Sequence, residues 1–393
     1  MAIIKLIKST FYKEKETKAQ LMSFISSSKQ LSFGQECLKF EENFARHQGR
    51  KFSVFFNSGS FANLALTQAL LNLGWLKRGD RAGFSALTWS TNVMPLIQLG
   101  LEPVPIDVEL DTLNVSSKKL GNILENTGLK TFFITNLLGL CDDIDKIKKI
   151  CEKKKIILLE DNCESLGTVY NGKKLGNYGL ASTFSFFVGH HMSTIEGGAV
   201  CTDNKQLATM LKMVRAHGWD RNLDKTEQEK FRKTHNINNF YARYTFYDLS
   251  YNLRPTEINA FIGNSQLKHI DQANNKRNEN FLKIADIIYK NKKRYYPIRF
   301  DHIDFLSSFA IPIVCRSTKI RDDLLKRCEN KIEVRPIVAG NITKQPFFKK
   351  YLPNHDKSFK NPNADLVHKQ GFYIGNNPEM TDKEISIITK ILA

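Results

Sequence analysis

From about Lys51 to Asp161, short apolar runs take turns with longer stretches in which apolar residues recur at helical spacing. Ser53–Asn57 reads as a strand and Ser60–Leu73 as the helix after it. Arg81–Ser85 and Glu102–Val108 read as strands flanking a helix from about Ser90 to Leu99. Thr131–Thr135 and Ile156–Glu160 are two further strands, separated by a helix over Ile144–Lys153. This alternation predicts an α/β fold with a mostly parallel sheet covered on both faces. Past Gly167 come short β-like pieces at Ser182–Phe187 and Ala199–Thr202, then a helix over about Lys205–Arg215. From roughly residue 265 the chain turns more polar, and Phe305–Val314 opens what reads as a smaller α/β unit. A chain of 393 residues exceeds what one core usually serves. The expected division is a large unit over residues 1–260, with an N-terminal lead-in, and a small unit over residues 261–393. Neither internal repeats nor low-complexity linkers interrupt the pattern.

Ligands of such sheets collect beyond the carboxyl ends of the strands. Three segments therefore stand out. Phe56-Asn57-Ser58-Gly59-Ser60 is a strand end, a tight turn and a helix start, and free N–H groups beside small hydroxyls form a phosphate cup. A serine N-cap alone gives the same pattern. Neither GxGxxG nor GxxxxGK[ST] occurs to compete with it. Ile156–Asp161 is an apolar strand ending in Glu160-Asp161, and a carboxylate there can keep a pyridine nitrogen protonated, as pyridoxal chemistry requires. Acidic strand ends are also common without any ligand. Ser182–Gly198 is an aromatic strand running into a polar turn with His190-His191 and then Glu196-Gly197-Gly198. Neighbouring side chains of an extended segment face apart, so at most one of the two histidines is expected to face a site there. The pair lacks metal-ligand spacing and an acidic partner, so no metal is expected.

Composition changes this picture little. Hydrophobic content of 41% and 27 Phe supply a sizeable interior, and no run is long enough to span a bilayer. Met1–Lys8 has only a short apolar run broken by lysines and does not read as a signal peptide. Seven scattered cysteines without a CxxC pair argue against a disulfide scaffold and point to a reduced, cytoplasmic protein. The net charge of +18 is compatible with nucleic acid, a membrane surface or an anionic metabolite. Its densest run, Lys146–Lys155, sits in an amphipathic helix with Ile144, Ile147, Ile150 and Cys151 on one side, and reads as a solvated face.

Taken in order and spacing, these segments resemble the sugar aminotransferases of the DegT/DnrJ/EryC1/StrS family over nearly the whole chain. The resemblance implies the aspartate-aminotransferase fold of pyridoxal 5'-phosphate enzymes and assigns roles by position. Ser58-Gly59-Ser60 stands for the phosphate turn, Trp89 for the aromatic that stacks on the cofactor ring, and Asp161 for the ring-nitrogen partner. Glu164 falls near the ring hydroxyl, and Ser185 opens the family's Ser-Phe-x-x-x-Lys. Tyr251–Glu257 corresponds to the family's Asn-x-Arg segment, whose Asn, here Asn252, reaches the phosphate of the neighbouring subunit, so the resemblance implies a homodimer with shared active sites. His217, Arg254, Glu333 and Arg335 are weaker candidates for contacts to substrate or donor carboxylates, each explained equally well by a structural salt bridge.

One departure matters most. Six residues before Glu196, where a transaminating member has lysine, this chain has His190. Without a primary amine the cofactor has no lysine to join, and the substitution resembles the sugar 3-dehydratases of the same family. The resemblance then implies a sequence of steps. L-glutamate converts the cofactor to pyridoxamine 5'-phosphate, the amine condenses with the C4 ketone of a nucleotide-linked 4-keto-6-deoxy sugar, and a base assists loss of the C3 hydroxyl. Ammonia is released afterwards. Imidazole, with a usual pKa of about 6.5, suits that proton transfer. One subtype also uses an iron–sulfur cluster with closely spaced cysteines after the His. Here Arg215–Arg221 contains none, and none follows Cys201 until Cys315. The resemblance is then to the cluster-free subtype, and it implies GDP-4-keto-6-deoxy-D-mannose as substrate, within colitose and O-antigen synthesis. Two alternatives stay open: an aminotransferase using another lysine, although Lys173 and Lys174 miss the register, and a catalytically silent binding or regulatory protein. No nucleic acid or membrane partner is expected, since the segment before Lys51 is too short for a DNA-binding domain as well.

Overall fold

A computed structural model describes residues 3–125, 127–353 and 359–393. Its core is a seven-stranded sheet. The first five strands are β1 (Phe52–Phe56), β2 (Arg81–Ser85), β3 (Glu102–Ile106), β4 (Leu129–Thr135) and β5 (Ile157–Asp161). A small ribbon, β6 (Val169–Tyr170) and β7 (Lys173–Lys174), precedes the last two, β8 (Ala181–Ser185) and β9 (Gly198–Thr202). Across the sheet the order is β1-β9-β8-β5-β4-β2-β3. The pairs among β2, β3, β4, β5 and β8 are parallel, and β9 runs antiparallel to both of its neighbours.

Alternation within the strands divides the interior. On β1, Val54 and Phe56 join the apolar layer beneath helix Gly59–Asn72, while Phe55 points to the other face. There the amphipathic helix Gln35–Gln48 lays Phe40 and Phe44 against Phe55, Phe184 and Phe186, with ring centroids 4.7–5.4 Å apart across the two elements. Edge-to-face packing of this kind explains the aromatic run through β8. The lysine-rich helix, found over Ile144–Lys154, buries Ile144, Ile147 and Cys151 and exposes Lys146, Lys149, Lys153 and Lys154.

A second sheet has the order β10-β11-β13-β12, with β10 (Tyr295–Tyr296), β11 (Ala310–Cys315), β12 (Val334–Arg335) and β13 (Gly371–Gly375), all pairs antiparallel. Helices Thr318–Cys328 and Pro362–Gln370 pack on it, and helices Ile270–Ile288 and Asp382–Leu392 pack against each other. One continuous apolar cluster runs from Ile134 and Leu158 of the large sheet to Ile311 and Ile374 of the small one. Of the N-terminal run, Met1 and Ala2 lie outside the described residues. Ile4 forms a bridge to Ile332, so the start of the chain lies along the small sheet's side.

One expectation needs correction. The helix read over about Ser90–Leu99 is broken into a single turn, Ser90–Asn92, and a short helix, Met94–Gln98. Pro95 has no N–H to continue a helix from the preceding turn, and it is tolerated only in the first turn of a new one. Within Phe305–Val314, where the small unit was expected to open, Phe305 bridges to Val169 of the ribbon and β11 begins at Ala310.

Candidate active site

Strands β1, β4, β5 and β8 end at one edge of the large sheet, and a cleft of about 440 Å³ opens there against the small sheet. Its floor depends on two glycines. Helix Gly59–Asn72 starts from Ser58, whose Oγ accepts from Phe61 N at 3.2 Å, and this leaves the first-turn N–H groups without carbonyls four residues back. The turn is wedged between the end of β8 and the start of β9. A Cβ on Gly59 would stand 2.5 Å from Ser185 Cβ, and one on Gly198 would stand 2.4 Å from the Ser58 carbonyl. The Glu196-Gly197-Gly198 motif is thus a close-approach requirement that lets β9 pass under the phosphate-cup turn.

Asp161, at the end of β5, is held from two helical segments and from its own strand end. Oδ2 accepts from Asn63 Nδ2 at 2.9 Å and from Asn92 Nδ2 at 2.8 Å; Oδ1 accepts from Cys163 N at 2.9 Å. A carboxylate offers about four acceptor directions. Three are occupied, so one remains for a further donor in the cleft. Asn92 also accepts from Thr88 Oγ1 at 3.0 Å, and Thr88 lies 2.6 Å from Thr135 Oγ1. Glu160, its neighbour, does something else: it accepts from the N–H groups of Gly176, Tyr178 and Gly179 at 2.6–2.7 Å and so pins the loop before β8. Glu164 lines the cleft and accepts from Leu138 N at 3.0 Å. Burial pushes its carboxyl up to about 8, with the Leu138 N–H opposing and the Asp161 charge adding to the rise.

His190 sits on the wall opposite. The segment is a turn rather than extended chain, yet the two histidines do part as expected. His190 lines the cleft, with its ring edge-on to Phe309 at 5.3 Å and Phe187 at 6.1 Å, and its Nδ1 is buried without a partner. Burial pushes the imidazole down to about 4, against the opposing pull of Asp161 and the Cys163 backbone. His191 turns away, its Nε2 placed 3.0 Å from Ser307 O. Two β-branched residues beside the cleft hold positive φ, Ile195 at 72° and Val338 at 48°, a strained conformation of the kind that collects at functional sites.

Of the residues singled out from the sequence, Ser58, Gly59, Ser60, Trp89, Asp161, Glu164, Ser185, His190 and Arg335 line this one cleft. Trp89 is 53% exposed over it, an indole face open to stacking. Arg335 enters from the small sheet, and Glu333 grips it from Oε1 at 2.8 Å while Oε2 accepts from Leu6 N at 2.9 Å. Asn252, Arg254 and His217 are not brought to the cleft. They form an outer cluster in which Arg254 Nε donates to Asn252 Oδ1 at 2.9 Å and Trp219 lies against both His217 and Arg254. Sequence reading missed Asn63, Asn92, Phe309 and Tyr373. A buried Asn on the otherwise apolar helix Gly59–Asn72 was the one available signal. Among the described residues no lysine lines the cleft. Lys174 instead donates to His47 O at 2.5 Å. Nor, among the described residues, do three His, Cys, Asp or Glu side chains gather as a metal would need. The cleft fits a flat, phosphorylated heteroaromatic cofactor: a cradle closed to any Cβ, an open indole, and a carboxylate with one free acceptor direction.

Several known proteins resemble this chain along its length. GDP-4-keto-6-deoxy-D-mannose 3-dehydratase of Yersinia pseudotuberculosis is 36% identical, across 98% of this chain and 97% of its own. The solved structure of the E. coli GDP-4-keto-6-deoxy-D-mannose-3-dehydratase with bound hydrated PLP superposes with a TM-score of 0.89 at 31% identity, covering both chains fully. A second structure of GDP-4-keto-6-deoxymannose-3-dehydratase, with a trapped PLP-glutamate geminal diamine, also matches at a TM-score of 0.89, 31% identity, and 99% and 100% coverage. The fold is therefore that of the aspartate-aminotransferase-like PLP enzymes. With its profile matched over residues 12–393, the DegT/DnrJ/EryC1/StrS aminotransferase family is the family to which this chain belongs.

Proposed function

We propose that this chain is a 3-dehydratase that uses pyridoxal 5'-phosphate and L-glutamate to remove the C3 hydroxyl of a nucleotide-linked 4-keto-6-deoxy sugar, GDP-4-keto-6-deoxy-D-mannose foremost. The observation that carries the reading is His190: a half-buried imidazole in the cleft, at the position where transaminating relatives have lysine, with no lysine lining the cleft among the described residues. When bound, the cofactor supplies an amine for the sugar ketone and a ring that withdraws electrons from the neighbouring carbons.

The chain's own residues do the rest. Ser58, Gly59 and Ser60 hold the phosphate on the N–H groups of the helix start, Trp89 covers the ring, and Asp161 accepts from the ring nitrogen. Glu164, protonated below about 8, donates toward the ring hydroxyl. Ser185 closes the cradle beneath Gly59. The neutral imidazole of His190 takes a proton and returns it to the departing C3 oxygen. Arg335 offers a guanidinium to a donor or sugar-linked anion, and Glu333 acts through Arg335 as a positioning residue.

Asn252, with Arg254 and His217 beside it, serves the cleft of a second copy in a homodimer. Support comes from the exposed run that precedes it: Phe240, Tyr241, Tyr244, Phe246 and Leu249 stand open on the surface, with Phe240 81% exposed. Apolar exposure of this extent favours a covering partner. No helix among the described residues is long and apolar enough to cross a membrane, and a cytoplasmic enzyme of deoxysugar synthesis for lipopolysaccharide fits the reading.

Incubation with pyridoxal 5'-phosphate, L-glutamate and GDP-4-keto-6-deoxy-D-mannose, followed by mass spectrometry of the sugar, tests the proposal. Loss of the C3 oxygen with release of ammonia is expected. A sugar that has gained an amino group instead overturns it.

A further inference from the structure

Behind the turn that carries His190 lies a second, smaller cavity of about 40 Å³. It is walled by segments from three distant parts of the chain: Ser9–Tyr12, Val188–Ser193 and Asn376–Glu379. Arg277 of helix Ile270–Ile288 forms its inner wall and is only 6% exposed. A buried guanidinium ordinarily has a carboxylate partner, because taking an unpaired charge out of water is costly. This one has none within ion-pair distance among the described residues. Among the described residues the guanidinium donates only from Nη1 to Asn274 Oδ1 at 3.2 Å, and its buried Nε has no acceptor there. Burial lowers the guanidinium only to about 10, so it carries its charge at neutral pH. The acid at the rim, Glu379, makes no ion pair with Arg277 and accepts instead from Ser9 Oγ of the same wall at 2.6 Å. Ser193, also buried, accepts from Ile195 N at 3.1 Å and retains its own hydroxyl proton to donate.

We infer that this cavity, open to solvent at its rim, is a binding site for one small inorganic anion of chloride size, held by Arg277 and Ser193 on its inner wall. A single water needs roughly 10–15 Å³ of such space, so an ion little larger than water fits and a nucleotide phosphate does not. Water alone leaves the cation uncompensated; an anion neutralises it and ties the N-terminal segment, the His190 turn and the loop after β13 to one point. The site is independent of the proposed reaction. It shares Gly189, His190 and Phe309 with the catalytic cleft as a common wall, so its occupancy stiffens the turn from behind.

The test uses the full-length protein and bromide as the probe. Crystals soaked in sodium bromide should show an anomalous peak beside Arg277. Melting at constant ionic strength should rise saturably, on the order of 2 °C, when bromide replaces gluconate. Arg277→Gln should abolish both the peak and the rise; if that variant does not fold, the wild-type bromide titration and anomalous map still decide. Water alone beside Arg277, no anion-specific stabilisation, or bromide found solely at exposed lysines would each overturn the inference.

Discussion

At the scale of single residues, the cleft separates two proton carriers by environment. Burial holds His190 at about 4 and Glu164 at about 8. A base must be unprotonated and an acid protonated, so both are in their working states between those values. The dependence of kcat/KM on pH should therefore fall on the acid side toward 4, well below the ordinary imidazole range of about 6.5, and on the alkaline side near 8. Glu164→Gln should remove the alkaline fall and leave the acid one. A profile that rises through the ordinary imidazole range contradicts this placement of His190. Part of this cleft was legible in sequence because Ser58 and Asp161 lie at the ends of apolar strands, whereas Ser185 was reached only through the family motif. Asn63 and Asn92, which aim the Asp161 carboxylate, were not, since periodicity shows which face of a helix is buried but not which atom its polar exception meets. Phe309 and Tyr373 arrive from a different sheet, and no local spacing announces them.

At the scale of elements, the account rests on three segments meeting at Gly59 and Gly198. Overpacking a closed contact typically costs about 1–3 kcal/mol, and here the displaced group is the Ser58 carbonyl, the N-cap of the phosphate helix. Gly198→Ala should destabilise the protein by about that amount in urea unfolding and weaken pyridoxal 5'-phosphate binding in a spectroscopic titration. Gly121→Ala, on an open helix face, should do neither. A Gly198→Ala protein that binds cofactor normally contradicts the wedge. Most strands and helices of the large sheet were readable within a residue or two, because buried parallel strands are near-continuous apolar runs. The segment after Trp89 was misread as one helix because its apolar spacing outweighed the interruption at Pro95. The helices Glu14–Ser27 and Lys225–Thr234 carry few buried side chains, one and none respectively, and so leave little pattern to read.

For the whole molecule, the net charge of +18 and the exposed aromatic run from Phe240 to Leu249 are the features one copy leaves unexplained. Pairing of two copies across that run would place Asn252 and Arg254 beside a partner's cleft, as an isologous interface requires. Sedimentation velocity under assay conditions should show a dimer, and Asn252→Ala should weaken cofactor binding without dissociating it. A fully active monomer contradicts the shared site. The central claim, however, is that one imidazole does in this cleft the proton work that lysine does in its relatives. Single-turnover measurement of C3 oxygen loss in wild-type, His190→Asn and His191→Asn protein, each loaded with cofactor, tests it most directly. His190→Asn should lose about 10²–10⁴-fold in rate with cofactor still bound, and His191→Asn should change little. Normal deoxygenation by His190→Asn would contradict it.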